Sequence, residues 1–334
     1  MEDPMSQGEG NRYSWKSLLG KVLGWSALFL PFLFSILFLG QFIGLSSGRA
    51  ALISLLCWPF VIRLLSIRQG VLFVALSVIL SIAGYLLQRP SHHRAWMPEI
   101  AELPSFEIEA NTISATNLRD FNWSSATEFD ERWINASYDL TQISSMDVFV
   151  VPFGESDLAA HVMLSFGFDD GRHLAVSVET RPEIGEKYSL LGGAARQLEL
   201  IYLFGTERDL LGLRILHRKN RVYAFPLNTD ASFAKDLLLE LCSAANLLHD
   251  EPRFYATLRH NCTTTLLRHV NRLRSEPIGI YREVLFPAKL GELLHRLGYL
   301  DTDLNWPEAM THYRVDEKVR TNHNLKSFSR ALRN

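Results

Sequence analysis

Cys262 lies in Phe254-Tyr-Ala-Thr-Leu-Arg-His-Asn-Cys-Thr-Thr-Thr-Leu-Leu-Arg-His-Val-Asn271, where a polar cluster runs into the helix-like spacing of Leu266, Leu267 and Val270. A thiol in the first turn of a helix faces unpaired backbone N–H groups and the positive end of the helix dipole, and both favour thiolate over thiol. The same N–H groups can hold a developing oxyanion. The blander reading is that Asn261, Cys262 and Thr263 simply begin a helix, because residues of the Asn and Thr type are frequent caps.

A thiol nucleophile needs a base that reaches it in space, whatever its place in the sequence. Of eleven histidines, most sit in polar tails or turns. His161 instead opens the strand-like run Ala160-His-Val-Met-Leu-Ser-Phe-Gly-Phe168, where alternation sets it on the face of Met163, Ser165 and Gly167. The next run, His173-Leu-Ala-Val-Ser-Val-Glu-Thr-Arg181, sets Ser177, Glu179 and Arg181 on one face, so that Glu179 is placed to orient the imidazole. Two alternatives stay open: a packed histidine with a satisfied ring, and a surface ion pair between Glu179 and Arg181. The catalytic candidates are thus Cys262, His161 and Glu179, with Asn261, Thr263, Ser177 and Arg181 supporting. Cys242 and Cys57 fall in apolar patterns and read as packing residues. Three cysteines are too few for a disulfide framework.

Other chemistries lack their residues. There is no His-Glu-x-x-His, no Cys-x-x-Cys, no Lys-Ser/Thr after Gly192-Gly193 and no Gly-x-Ser-x-Gly, so neither a metal nor a cofactor is expected. With 34 basic against 36 acidic residues, nothing points to a nucleic-acid partner, which rewards a strongly basic surface.

The elements that must position these residues are mostly strands. Phe106 to Ala115, Met146 to Val151, His161 to Phe168, His173 to Thr180, Leu198 to Phe204 and Arg221 to Phe225 are alternating or β-branched runs, several ending in turn residues such as Asp169-Asp170-Gly171. From Asp230 to Leu248 the leucines recur at helical spacing, with Asp230 as cap.

The N-terminal part is of another kind. Between Lys21 and Arg49 lie 27 residues without an ionisable group, and about 20 suffice to cross a bilayer. Residues 69–88 form a second such stretch. The piece 50–62, only 13 residues long and carrying Pro59, reads by length as a re-entrant or interfacial segment, which would leave two spans and the remaining chain inside. It reads instead as a third span over 46–65 if Arg49 and Arg63 snorkel at its ends. Spans at about 22–44, 48–65 and 69–88 put Arg12, Lys16, Lys21, Arg63 and Arg68 on one side and Arg49, Arg89 and Arg94 on the other. The positive-inside tendency then sets the N-terminus inside and the remaining chain outside. Residues 1–94 carry eight Lys/Arg and three Asp/Glu, against 26 and 33 in the remainder, so a cationic anchor precedes an acidic domain. The basic end, Lys318 to Arg333, reads as a solvated charge run.

The ordered motifs Ala160-His161, Ser165-Phe-Gly-Phe-x-Asp-Gly171, Ser177-Val-Glu-Thr-Arg181, Gly185-Glu-Lys-Tyr-Ser189, Gln197-Leu-Glu-Leu-Ile-Tyr202, Glu207-Arg-Asp209, Phe254-Tyr255 and Asn261-Cys-Thr-Thr264 strongly resemble the periplasmic domain of Lnb-type lipoprotein N-acyltransferases, over about residues 115–275. The resemblance implies an α+β architecture: N-terminal transmembrane helices, then a permuted papain-like (NlpC/P60-like) thiol domain in which the His-bearing strand precedes the Cys-bearing helix. On that basis 1–94 is the anchor, 95–114 a connector with a first strand, 115–275 the catalytic domain and 276–334 an extension. It further implies a multi-pass protein of the bacterial inner membrane with its C-terminal domain in the periplasm. The implied partners are a phospholipid acyl donor and a lipoprotein acceptor, joined through a Cys262 thioester. In that family the membrane helices follow the domain, whereas here they precede it. A cysteine hydrolase of the envelope, with water as acceptor, and a non-catalytic envelope-binding domain are the other expectations.

Overall fold

The computed structural model describes residues 15–42, 47–156, 158–186, 192–193, 195–256, 261–279, 281–322 and 328–333. The chain divides into two units, residues 1–89 with 189–197, and residues 90–188 with 198–334. In the first unit the uncharged stretches form three helices, α1 (Trp15–Phe42), α2 (Ser47–Leu64) and α3 (Ile67–Leu87). The end of the first expected span, at 43–44, lies outside the described residues. Two segments, Leu19–Gly40 and Ile67–Leu87, are long and apolar enough to cross a membrane. Trp25, Phe32, Trp58 and Val74 pack where the helices meet, while leucines such as Leu30, Leu72 and Leu87 point outward and stay exposed. Serine hydroxyls are satisfied inside the bundle, Ser54 on the Ala50 carbonyl at 2.9 Å and Ser81 on the Ser77 carbonyl at 2.8 Å. Hydrocarbon surroundings require such internal partners.

The second unit is a mixed α+β fold built on one large sheet. Its strands are β1 (Ser105–Glu109), β2 (Thr112–Arg119), β5 (Trp133–Asp139), β6 (Ile143–Pro152), β7 (Ala160–Phe168), β8 (His173–Arg181), β9 (Glu199–Thr206) and β10 (Tyr223–Pro226), with β3 (Asn122–Trp123) and β4 (Phe129–Asp130) as a separate small hairpin. The order is β1-β2-β9-β8-β7-β6-β10, with β5 paired to β2. All pairs are antiparallel except β2 with β9, joined in parallel at Arg119 and Gly205. A Cβ at Gly205 would collide with the Arg119 carbonyl, so only glycine permits this junction. The expected strand 106–115 is in fact a hairpin: Ala110, at φ 51°, turns the chain between β1 and β2. β5 answers to no expected strand; it is a half-exposed edge rich in polar residues, which weakens its alternation signal.

Both faces of the sheet are covered. On one lie α5 (Ala231–Asp250) and α6 (Cys262–Leu273), whose Leu237, Leu241 and Leu266 meet Val148, Val162, Leu164, Val176 and Val178. Asp230 caps α5, accepting from the Phe233 N–H at 2.6 Å. The short helices α7 (Arg282–Leu285), α8 (Leu290–Arg296) and α9 (Trp306–His312) follow α6 in the chain. On the other face α4 (Glu207–Gly212), a π-turn over Leu213–His217, and the terminal helices α10 (Asp316–Asn322) and α11 (Phe328–Ala331) cover Phe149, Met163, Ala175 and Leu203.

Buried ion pairs fasten the second face. The fully buried Asp209 takes two hydrogen bonds of 2.9 Å from Arg119, one of 2.8 Å from the Phe121 N–H and one of 2.7 Å from Trp123 Nε1. Arg333 grips Asp147 and Glu207 at 2.6 Å each, and Arg320 donates to the Ile215 and Asn220 carbonyls. Arg320 and Arg333 of the basic end are therefore committed to internal partners, while Arg330 is exposed as a solvated run expects; residues 323–327 lie outside the described residues.

Replacing Arg333 with Ala strands two buried carboxylates beside each other. Thermal and urea unfolding of the full chain in detergent, followed by tryptophan fluorescence, is expected to show a loss of about 3 kcal/mol, the scale of removing one partner from a buried pair.

Candidate active site

α6 begins at Cys262 because Asn261 ends the preceding chain in an extended conformation and caps the helix. Its side chain accepts from the Thr264 N–H at 2.8 Å, while Thr264 Oγ1 accepts from the Asn261 N–H at 3.1 Å. This reciprocal box fixes the first turn and puts the thiol at the first helical position, 7% exposed. Thr263 beside it is buried, its Oγ1 3.8 Å from Sγ.

The sheet opens to receive the thiol. β7 stays paired with β6 up to Ala160, but its pairing with β8 stops at Met163 and Ser177. β8 continues along β9 to Arg181. In the gap so formed Cys262 Sγ lies 4.0 Å from the Ala160 carbonyl oxygen and receives the Val162 backbone N–H, a donor that the missing β8 partner would otherwise have used.

The same register carries Glu179 opposite His161, on the α4 face of the sheet. His161 and Cys262 interact closely enough that each shifts the proton affinity of the other. The far nitrogen, Nε2, lies 2.6 Å from Ser177 Oγ, which donates to Glu179 Oε1 at 2.7 Å. Glu179 Oε1 also takes a 2.8 Å hydrogen bond from Arg214 Nη2. The direct approach of Nε2 to Glu179 is 3.4 Å, so Ser177 is the intermediate. Since Ser177 spends its proton on Glu179, it accepts from an Nε2–H, and Nδ1 is left for the thiol. The tautomer is set by the relay.

Electrostatics follow from these contacts. Burial pushes the Cys262 thiol up, but the hydrogen bond and charge of His161 outweigh it and hold the thiol below its ordinary value. Burial pushes the imidazole down, and the contacts with Cys262 and Glu179 reverse this, so His161 is raised. Burial pushes Glu179 up as well; the Arg214 charge and the nearby His161 ring bring it well below the usual carboxylate range. A thiolate beside an imidazolium is the state these shifts favour.

Four of the seven residues singled out by sequence thus converge: Cys262, His161, Ser177 and Glu179. Asn261 and Thr263 shape the helix start. Arg181 does not join them. It is buried at the end of β8, where it donates to the Ile100 and Ala101 carbonyls and stacks on Trp96 at 4.4 Å, anchoring the segment after residue 90. Of the other thiols, Cys242 is buried in α5 and pushed far up by that burial, whereas Cys57 lies exposed on α2 rather than packed. Arg214 and the Val162 N–H were not foreseen. Arg214 sits on the π-turn, also bonded to the Leu210 carbonyl at 2.7 Å, and such turns often mark functional positions. Another buried imidazole, His269, has both ring nitrogens occupied, by Tyr202 at 2.7 Å and Glu240 at 2.9 Å. Among the described residues no group of three or more His, Cys, Asp or Glu is arranged to hold a metal ion. Of the motif Gly185–Ser189, residues 187–189 lie outside the described residues.

Residues 129–286 match the family model described as the Lnb N-terminal periplasmic domain. No curated protein and no solved structure matches the chain. With the two apolar helices of the N-terminal unit, the match supports a membrane-anchored protein with a periplasmic domain.

The thiolate remains populated as pH falls below the ordinary thiol range and is lost only through the lowered value. Alkylation of Cys262 by iodoacetamide, read by peptide mass spectrometry, is expected to persist at neutral pH in the native protein. In His161→Ala the thiol loses its largest opposing contribution to burial and keeps only the smaller ones of the Val162 N–H and Thr263, and alkylation at neutral pH is expected to fall by about tenfold, since a one-unit rise in pKa removes roughly nine-tenths of the thiolate.

Proposed function

We propose, from the membership of residues 129–286 in the Lnb N-terminal periplasmic domain family, that this chain is a membrane-anchored thiol acyltransferase working at the periplasmic face of the bacterial inner membrane. The observation that carries the proposal is the relay Arg214–Glu179–Ser177–His161 ending on a thiol at a helix N-terminus. Packing alone does not require four polar side chains to converge on one cysteine, but nucleophilic catalysis does.

The Cys262 thiolate attacks the ester carbonyl of a phospholipid, and the oxyanion develops near the first-turn N–H groups of α6. As the carbon–oxygen bond breaks, His161 gives its proton to the departing lysophospholipid oxygen, leaving an acyl thioester on Cys262. The amino group of a lipoprotein N-terminus then attacks the thioester. His161 takes the amine proton, and Cys262 leaves as thiolate. Ser177 and Glu179 hold the ring in the tautomer both steps require, and Arg214 keeps Glu179 charged. Anchoring confines the site to the bilayer where both substrates reside, which raises their effective concentration.

The fold proposed for this chemistry is a permuted papain-like domain. Its supports are the order of the His-bearing β7 before the Cys-bearing α6, and the docking of the helix start against β7 and β8. A three-span anchor is proposed with it. α2, with Arg49 and Arg63 near its ends, crosses by letting those side chains reach the interfaces, so that the domain lies outside when the N-terminus is inside.

Full-length protein in vesicles of acyl-labelled phospholipid is expected to acquire a hydroxylamine-labile label on Cys262. The label should be absent from Cys262→Ala and slowed about 10²- to 10⁴-fold in His161→Ala. Addition of a diacylated lipopeptide with a free N-terminal cysteine should discharge the label onto its amine. Discharge to water alone would assign a hydrolase, and no label on Cys262 from any lipid would overturn both. For topology, alkaline phosphatase, whose disulfides form only in an oxidising compartment, is expected to be active when fused after residue 334; an expressed but inactive fusion would rule out the three-span arrangement.

A further inference from the structure

A cavity of about 540 Å³ lies on the helical face of the sheet, beside the first turn of α6. Thr263, the neighbour of the nucleophile, and Val162, whose N–H meets the thiol, both line it. The cavity therefore starts where an acyl group on Cys262 would start. Most of its wall is aliphatic, from β6, β7, α6 and α8. The polar groups in the lining are Asn228, Thr229, Asp230, Thr263, Arg274 and Tyr299, and the last two bond each other at 3.0 Å. Folded interiors leave few voids larger than a water molecule, and apolar cavities of several hundred Å³ with a few polar groups are binding sites.

The far wall comes from a segment past the end of the family match at residue 286. Leu290, Leu293, Leu294 and Leu297 on and just after α8 all face the cavity. α8 is held close by Gly291, where a Cβ would come within 2.5 Å of the Phe225 ring and 2.9 Å of Trp306. The docking is thus fixed and the cavity depth with it.

We propose that this cavity holds the acyl chain while it is attached to Cys262, and that α8 acts as the end wall that sets the accepted chain length. The proposal rests on the acyltransferase reading and specifies its donor as a lipid with a long, unsubstituted chain. Each methylene added gains contact until α8 is reached, a gain of roughly three- to fivefold per methylene for full burial.

The test uses full-length protein in detergent micelles with p-nitrophenyl hexanoate, decanoate and hexadecanoate, following thioester formation on Cys262 by intact mass. Native protein should favour the long chain. Leu294→Trp and Leu297→Trp, half-buried positions that project a larger ring into the cavity, should lower the hexadecanoyl-to-hexanoyl ratio at least tenfold, with unfolding midpoints showing that the variants fold. An unchanged ratio in folded variants overturns the end-wall assignment while leaving the thioester chemistry intact. A hexadecanoyl ester with a terminal diazirine needs no variant: illumination of the native acyl-enzyme should crosslink residues 284–299, and crosslinks confined to other segments overturn the proposal. Absence of any thioester in the native protein brings down the acyltransferase reading, and this inference with it.

Discussion

The charge on Glu179 is the constraint on which the site depends. A largely buried carboxylate is costly unless an opposite charge and hydrogen bonds compensate, and Glu179 has both, from Arg214 and Ser177. Protonation would let the Glu179 O–H donate to Ser177 and turn the Ser177 proton toward Nε2, which reverses the tautomer of the neutral ring and puts its proton on Nδ1, facing the thiol. Arg214 in turn depends on the π-turn that aims it through the second face, and that face is braced by Arg119 with Asp209 and by Arg333 with Asp147 and Glu207. A chain of ionic contacts thus runs from the periphery to one imidazole.

The two faces of the sheet divide the labour. The α4 face carries the charged relay, and the opposite face carries the thiol and the apolar cavity. They communicate only because β8 leaves β7 after Ser177. A fully zipped ladder would occupy the Val162 N–H and close the gap. The relay would then sit on one side of the sheet and the Cys262 thiol on the other.

What the sequence reveals follows from how local each rule is. Capping at Asn261 and the first-turn place of Cys262 depend on four adjacent residues, and alternation in β7 and β8 identifies the face shared by Ser177 and Glu179. Alternation assigns a face but not a depth, so Arg181 falls on the right side of β8 yet belongs to a different contact with Trp96 and Ala101. The insertion of Ser177 between imidazole and carboxylate depends on a register between two strands. Arg214 depends on an extra residue in a helical turn, which composition does not mark. The β1–β2 turn is hidden for a related reason: Ala110 adopts a left-handed conformation that glycine or asparagine usually signals.

The depressed thiol also has an oxidative consequence. The periplasm is an oxidising compartment, and a thiolate is the form that peroxides attack and that mixed disulfides capture. Redox sensors place a resolving cysteine nearby to trap the sulfenic acid reversibly, but here all three cysteines are free, Cys242 is sealed inside α5 and Cys57 lies on a membrane-unit helix. Over-oxidation of Cys262 would thus proceed without an internal rescue. Its 7% exposure is then more than a packing result: the narrow slot between β7 and β8 rations access to the sulfur.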